Sequence, residues 1–265
     1  MSRSELAPTV DPARWGMGIV RWMRGWWGIV EFGAQMLVLA LSPTSYRASQ
    51  RPVLFHQMYE ATLPLIASFV VISAVVSLVI IQIVVATAES YGLGRYALGV
   101  LVRTLVIELM PLLVALFVAL RYTLPGGEAV SALRSEGRLL RAWRSGGDPA
   151  RDELLPRVVA GVFSVALLAA VSCLLALLLT YLSVYGFTTW GFDSYTRSVG
   201  QVFNPAATLI FALKAFFFSL AVAILPVAPD QRGAAPRRHD HIGLLGRVFA
   251  VILLVEIIAL VGNYY

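Results

Sequence analysis

The chain has 265 residues, 58% of them hydrophobic and only 14% charged, with a formal net charge of +6. A soluble domain averages about 25% charged residues, and a water-soluble fold of this length has no interior large enough for the surplus apolar surface. A soluble enzyme, a disulfide scaffold and a disordered tail are therefore excluded as readings of the whole chain, and the mean hydropathy of +0.78 points to a bilayer as the solvent.

The first apolar stretch, residues 26–41, is short for a span and contains Glu31. No small-residue cleavage site follows it, so it does not read as a secretory signal. Trp22, Trp26 and Trp27 stand beside Arg21 and Arg24, a pattern suited to an amphipathic helix lying at headgroup level. Residues 1–60 thus read as a cytoplasmic N-terminal region carrying an interfacial helix. Residues 61–265 read as the membrane domain.

Five spans follow in order. Residues 61–88 carry no charge over 28 positions, where about 20 suffice to cross the hydrocarbon. The second run, 97–120, is apolar but holds Arg103 and Glu108. The third, 158–192, is uncharged for 35 residues and ends in an aromatic, glycine-containing stretch. It reads as a span over 158–181 followed by an interfacial loop. The fourth, 203–227, is interrupted only by Lys214, and the fifth, 248–264, only by Glu256. The expected fold is an all-α integral membrane protein of five transmembrane helices plus the N-terminal interfacial helix.

Arginine placement orients these spans. Residues 1–60, 121–157 and 230–247 hold 17 arginines, whereas the alternate connections hold 2, Arg95 and Arg197. The positive-inside rule places the first set in the cytoplasm, the N-terminus inside and the C-terminus outside. Arginines distributed between apolar runs are topology signals, not the clustered patch of a nucleic-acid-binding face, so no nucleic-acid partner is expected.

Several chemistries lack their residues. Lys214 is the single lysine and follows Leu213, so there is no phosphate-cradling Gly-Lys-Ser/Thr loop. The histidines His56, His239 and His241 form no zinc-protease motif. His239 and His241 flank Asp240 in a basic loop and read as solvated. Cys173 is the lone cysteine, so no intrachain disulfide forms. No catalytic residue, metal site or cofactor is expected in this chain.

The charges inside spans are informative because each costs about 2.5–3.5 kcal/mol on insertion scales. Glu108, Lys214 and Glu256 fall at comparable depths if the spans are antiparallel, and a Glu–Lys–Glu cluster lets them pair. Two readings stand side by side: a pin that holds the bundle together, or a polar feature beside a substrate path. Pro111, just after Glu108, removes a helix donor and favours a kink.

The loop 121–157 is the other informative element. Between Gly126-Gly127 and Gly146-Gly147 a short amphipathic helix is expected. Val130, Leu133, Leu140 and Trp143 lie on one face, and Arg134, Arg138 and Arg141 on another. It suits either docking to a partner or lying on anionic headgroups.

Together these residues resemble the permease subunit of MCE-associated ABC transporters, the Mla-type lipid permeases. The stretch LVIELMPLLVALFVALR, 105–121, is similar to their Leu-Val-Arg-Glu-Leu-Gly-Pro signature, with Glu108, Leu109, Pro111 and Arg121 in register. Asp148-Pro149 and Pro156-Arg157 fall where the family has Asp-Pro and Pro-Arg. The 63–82 stretch resembles its first span, and Tyr91-Gly92 its Phe-Gly. LKAFFFSL at 213–220 resembles its lysine-bearing fourth span, and Glu256 stands for an acid in the last. The resemblance covers about 50–265. Ile107, Met110 and Leu120 replace an Arg and two glycines of the pattern. The family's acidic coupling segment becomes Gly137-Arg138-Leu139-Leu140-Arg141, reversed in charge.

The resemblance implies a homodimeric permease of the bacterial inner membrane, with the C-terminus periplasmic. A separate ABC ATPase, carrying ATP-Mg, would dock on 121–157 through Arg134, Arg138, Arg141 and Trp143. An MCE-domain protein would stand on the periplasmic side. The cargo would be phospholipid or another hydrophobic lipid. A non-transporting five-span scaffold or assembly protein is the competing class. A proton-coupled carrier using Glu108 and Glu256 would favour inverted repeats, and none is evident.

Overall fold

The computed structural model describes residues 12–46, 51–146, 148–229 and 240–264. Among these the chain is helical, without strands. Helix α1 is Pro12–Leu41 and α2 is Arg51–Ser90. A single continuous helix, α3, covers 94–135, and a short helix, α4, is Arg138–Arg144. Helix α5 covers 150–185, α6 is Phe192–Val202, α7 is Pro205–Ile224 and α8 is Asp240–Tyr264. Five of them, α2, α3, α5, α7 and α8, are long and apolar enough to cross a membrane. This is the all-α membrane architecture the sequence predicts.

The helices are longer than the apolar runs. Helix α2 has 40 residues, about 60 Å at about 1.5 Å per residue, against a hydrocarbon layer of about 30 Å. It takes in residues 51–60, which the sequence reading assigned to the N-terminal region. Valine and isoleucine dominate it, and they sit well in a helix here because only a helix satisfies every backbone group within one segment in lipid. Helix α5 likewise runs on to Tyr185, and the expected interfacial loop contains the helical turns of α6.

Helices α2 and α5 pack along most of their length. The buried positions of α2 are Ala61, Thr62, Leu65, Phe69, Ser73, Ser77 and Ile81, a ridge repeating every three or four residues. Helix α5 buries small residues too, among them Ala160, Ser164, Ala169, Ser172 and Ala176. Small residues let helices approach closely in lipid, where apolar burial gives no extra driving force. The Thr62 and Ser164 hydroxyls share a buried hydrogen bond of 2.8 Å across this seam.

Three apolar clusters stack along the bundle. The central one joins Phe69, Val114, Val118, Leu168, Phe218, Val222 and Ile252. At the end away from the arginine-rich loop, Ile81 meets Leu101, Leu105, Met110 and Ala176. At the arginine-rich end, Phe32 and Met36 of α1 pack on Val130, Val158, Ile224 and Val227. Helix α1 is thus docked on the bundle through one face. Its other face, with Met23, Trp27, Val30 and Val38, is exposed. The side chains of Arg21 and Trp22 lie outside the described residues, as does His239.

Candidate functional site: a buried charge cluster and a clamped loop helix

Lys214 on α7 is 2% exposed and sits between two carboxylates from different helices. Its Nζ donates to Glu108 Oε2 of α3 at 2.5 Å and to Glu256 Oε1 of α8 at 2.8 Å. The second oxygen of Glu256 is also 2.8 Å away. The Phe218 ring, one turn along α7, lies with its centroid 5.8 Å from the ammonium. Three residues, with Lys214 106 positions from Glu108 and 42 from Glu256 in sequence, therefore meet at one point of the bundle.

The lysine also serves the backbone. Pro111 has no N–H and cannot donate to the preceding turn. Its α-helical acceptor would be the carbonyl of Ile107. That carbonyl accepts from Lys214 Nζ at 3.4 Å, and the Glu108 carbonyl does so at 3.2 Å. One residue earlier, the Val106 carbonyl accepts from the Cys173 thiol at 3.7 Å. The turn ahead of the proline, Val102–Leu109, is wound as π-helix, and the helix returns to α geometry over Met110–Val118. Proline inside a span is tolerated where neighbouring helices supply the missing partners. Here Lys214 and Cys173 do so. The sequence reading treated Pro111 and Lys214 as separate features; a proline four residues after an acceptor was the available signal that they belong together.

The loop 121–157 differs from its expected form. Gly126 and Gly127 do not break a helix; they lie inside α3, in its last segment Leu124–Ser135. The break comes at Gly137, whose φ of +68° is the left-handed conformation glycine adopts without steric cost. Two helices result instead of one, and the three arginines are divided between them. Arg134 on α3 turns back into the bundle. Its guanidinium donates to the carbonyls of Val227 at 2.7 Å and Ala228 at 3.1 Å, just beyond the end of α7. Helix ends leave carbonyls without intrahelical donors, and a guanidinium is well shaped to cap two of them. Arg138, Leu140, Arg141 and Trp143 on α4 stay exposed, and Arg141 donates to the Glu136 carbonyl at 2.7 Å.

Val130 and Gly127 complete this clamp. Val130 is fully buried against α1, α5 and α7. A Cβ on Gly127 would stand 2.5 Å from the Pro226 carbonyl oxygen, so only glycine admits this contact. Sequence periodicity placed Val130 on an apolar face but gave Arg134 to the polar one. Replacing Arg134 with Ala removes two charge-assisted bonds, worth about 1.5–3 kcal/mol each when made to a charged group. The expected result is a lower melting temperature in detergent than for Arg138→Ala, which loses no described bond. Equal melting of the two variants would contradict the clamp.

The remaining motif positions are peripheral to the cluster. Arg121 is exposed on a second π-helical stretch, Ala119–Thr123. Asp148 accepts from the Ala150 amide at 3.2 Å and lies 3.4 Å from Arg151, so it caps the start of α5 beside Pro149. Arg157 lies 3.6 Å from Glu153 one turn earlier.

Residues 54–229 match the family model described as permease MlaE. The chain belongs to the MlaE permease family. A search of curated proteins finds no match. The matched region contains α2 through α7, and with them Glu108, Lys214 and the clamp between α3 and the end of α7. Helix α8 and Glu256 lie beyond it. As a member of this family the chain is a membrane permease, a transporter's spanning component.

Proposed function

We propose that the chain is the permease subunit of an ABC transporter that moves phospholipid or another hydrophobic lipid between the inner membrane and a periplasmic MCE-type carrier. Membership in the MlaE family over 54–229 carries this reading. The permease works as a homodimer, and an ATPase subunit with ATP-Mg docks on the arginine-rich end. The N-terminus is cytoplasmic and the C-terminus periplasmic, a reading the arginine asymmetry supports. Helix α1 lies at headgroup level with Trp27 and its neighbours in the acyl boundary. The Glu108–Lys214–Glu256 cluster stands beside the lipid path.

The docking surface in this proposal is α4, not the whole helix expected between Gly126-Gly127 and Gly146-Gly147, because Arg134 is engaged with α7. Trp143 and Leu140, 70% and 61% exposed, supply an apolar anchor beside Arg138 and Arg141. Changing Arg138 and Arg141 together to Glu should abolish co-purification of the ATPase while insertion and dimerisation persist, since charge pairs at a rim govern association. A complex that survives in this variant at moderate salt would place the docking elsewhere.

Co-purification is the direct test of the function. Tagged permease should bring down an ATPase and bound lipid from its native membrane. A chain that arrives with neither supports the scaffold reading. Orientation is checked by cysteine labelling in a Cys173→Ala background. In intact spheroplasts an impermeant thiol reagent should reach Trp190→Cys and not Ser145→Cys; the reverse pattern would sink the topology.

A further inference from the structure

A small cavity lies where the turn Pro43–Ser45, which follows α1, meets α2 at Arg51 and α5 at Arg151. Its volume is about 10 Å³, room for one oxygen-sized group. Ser45, Arg51 and Arg151 form its polar side, Leu54 and Leu155 are apolar walls, and no described acidic residue lines it. Ser45 is 5% exposed. Its hydroxyl is buried and has no hydrogen-bond partner. The same holds for Arg151 Nε, although the Asp148 carboxylate stands 3.4 Å from it. Arg51 spends its Nε on the Tyr46 carbonyl at 3.2 Å, so its terminal nitrogens are the ones a ligand can engage.

A buried donor without an acceptor forfeits its bond to water and gains none in return, so two of them on one cavity call for an acceptor there. Two guanidinium groups converge on it and Asp148 offsets only one, which favours an anionic oxygen. The cavity admits one such oxygen, and Arg51, exposed at its edge, can hold the rest of the group outside. Val53 and Phe55 of α2 and Leu41 at the end of α1 are exposed nearby, the apolar surface that a membrane protein turns to acyl tails. The cavity therefore opens at headgroup level, where basic pockets beside spans bind anionic lipids. We propose that Ser45, Arg51 and Arg151 hold the phosphate of an anionic lipid of the surrounding leaflet, tying the α1–α2 turn and the start of α5 to the membrane surface. This lipid is a resident of the bilayer and not the cargo, so the inference does not rest on the transport reading.

The test uses the purified full chain, delipidated in detergent, and reads thermal unfolding together with amide hydrogen exchange in 42–46. The probes are phosphatidylglycerol, diacylglycerol with the same acyl chains, and inorganic phosphate. Phosphatidylglycerol should raise the melting temperature and slow exchange in 42–46, and diacylglycerol at the same concentration should do neither. Arg51→Gln should weaken the phosphatidylglycerol effect about tenfold in concentration, the loss of one charge-assisted contact. Arg51→Lys should fall between, because the ammonium keeps the charge without the fork. Ser45→Ala removes a hydroxyl that has no partner within the protein, so without lipid it should melt no lower than the intact chain, and with phosphatidylglycerol it should lose part of the stabilisation. A Ser45→Ala variant that melts lower by the same amount with and without lipid would show that the hydroxyl serves the protein itself, and would overturn the site. So would equal protection by the two lipids, or a phosphatidylglycerol effect untouched in Arg51→Gln. Inorganic phosphate protecting 42–46 through Arg51 where phosphatidylglycerol does not would make this a free-phosphate site and overturn the lipid assignment. An ATPase absent from pull-downs would defeat the transporter reading and leave this site standing.

Discussion

Lys214→Met should be the most damaging single substitution in the membrane domain. It leaves Glu108 and Glu256 facing each other without the ammonium between them, their side chains only 13% and 14% exposed. Breaking a buried pair by removing one partner costs about 3–5 kcal/mol, because the remaining charge is stranded. It also removes the donor to the Ile107 and Glu108 carbonyls ahead of Pro111, so the expected loss includes the bend in α3. Combining Lys214→Met with Glu108→Gln neutralises one stranded carboxylate. That double variant should therefore express and melt closer to the intact protein than Lys214→Met does. The check is a double-mutant cycle on thermal unfolding in detergent, with membrane abundance as a second readout. If the double variant loses as much as the two single losses added together, the three side chains are not energetically coupled.

The second large effect is expected at Gly127. Valine there would drive its Cβ into the Pro226 carbonyl oxygen at 2.5 Å and the Pro226 Cβ at 2.8 Å. Neither contact is the far end of a flexible side chain, so α3 and the end of α7 must separate. Overpacking alone costs about 1–3 kcal/mol, and separation also strips the Arg134 bonds and the Val130 contacts. Gly126 is the internal control, because a Cβ there meets nothing within 4 Å. Gly126→Ala should be neutral or stabilising by up to about 1 kcal/mol, the helix-propensity difference. Thermal unfolding of the two variants side by side decides the matter. Gly127→Val melting with the intact protein would show that the two helix ends are not in contact.

Much of the architecture was legible in the sequence because lipid imposes simple constraints. Long uncharged runs must be helices, and interruptions by Arg103, Glu108, Lys214 and Glu256 stand out against them. The meeting of Glu108, Lys214 and Glu256 could be anticipated from antiparallel depth alone. What could not be read was how the backbone closes around them. Periodicity treats every helix as ideal, so the π-helical stretches at 102–109 and 119–123 were invisible. The break at Gly137 was equally hidden, and it is what lets Arg134 turn inward to the α7 carbonyls while Arg138 stays exposed on a separate helix. Glycine pairs were read as breakers at 126–127, whereas the contact with Pro226 is a tertiary reason for glycine that no local pattern carries. The helical turns of α6 were missed for a related reason. The aromatic, glycine-containing composition after residue 181 suggested an interfacial loop, although Phe192, Tyr195, Val199 and Val202 recur at helical spacing. The helix is held by contacts such as the Tyr195 hydroxyl donating to the Leu177 carbonyl at 2.8 Å. Burial pushes that phenol up to about 12, so it stays a neutral donor at any physiological pH.

The burial of Lys214 has a chemical consequence for anyone handling the protein. It is the only lysine in the sequence, and its amine is held by two carboxylates and two carbonyls. In the folded protein, acylating reagents and reductive methylation therefore find no side-chain amine to modify, and cross-linkers that need two lysines join nothing within this chain. Acylation of Lys214 becomes possible only when the α3–α7–α8 junction opens. Its rate under native conditions is thus a one-residue clock for that opening, readable by peptide mass without any engineered probe.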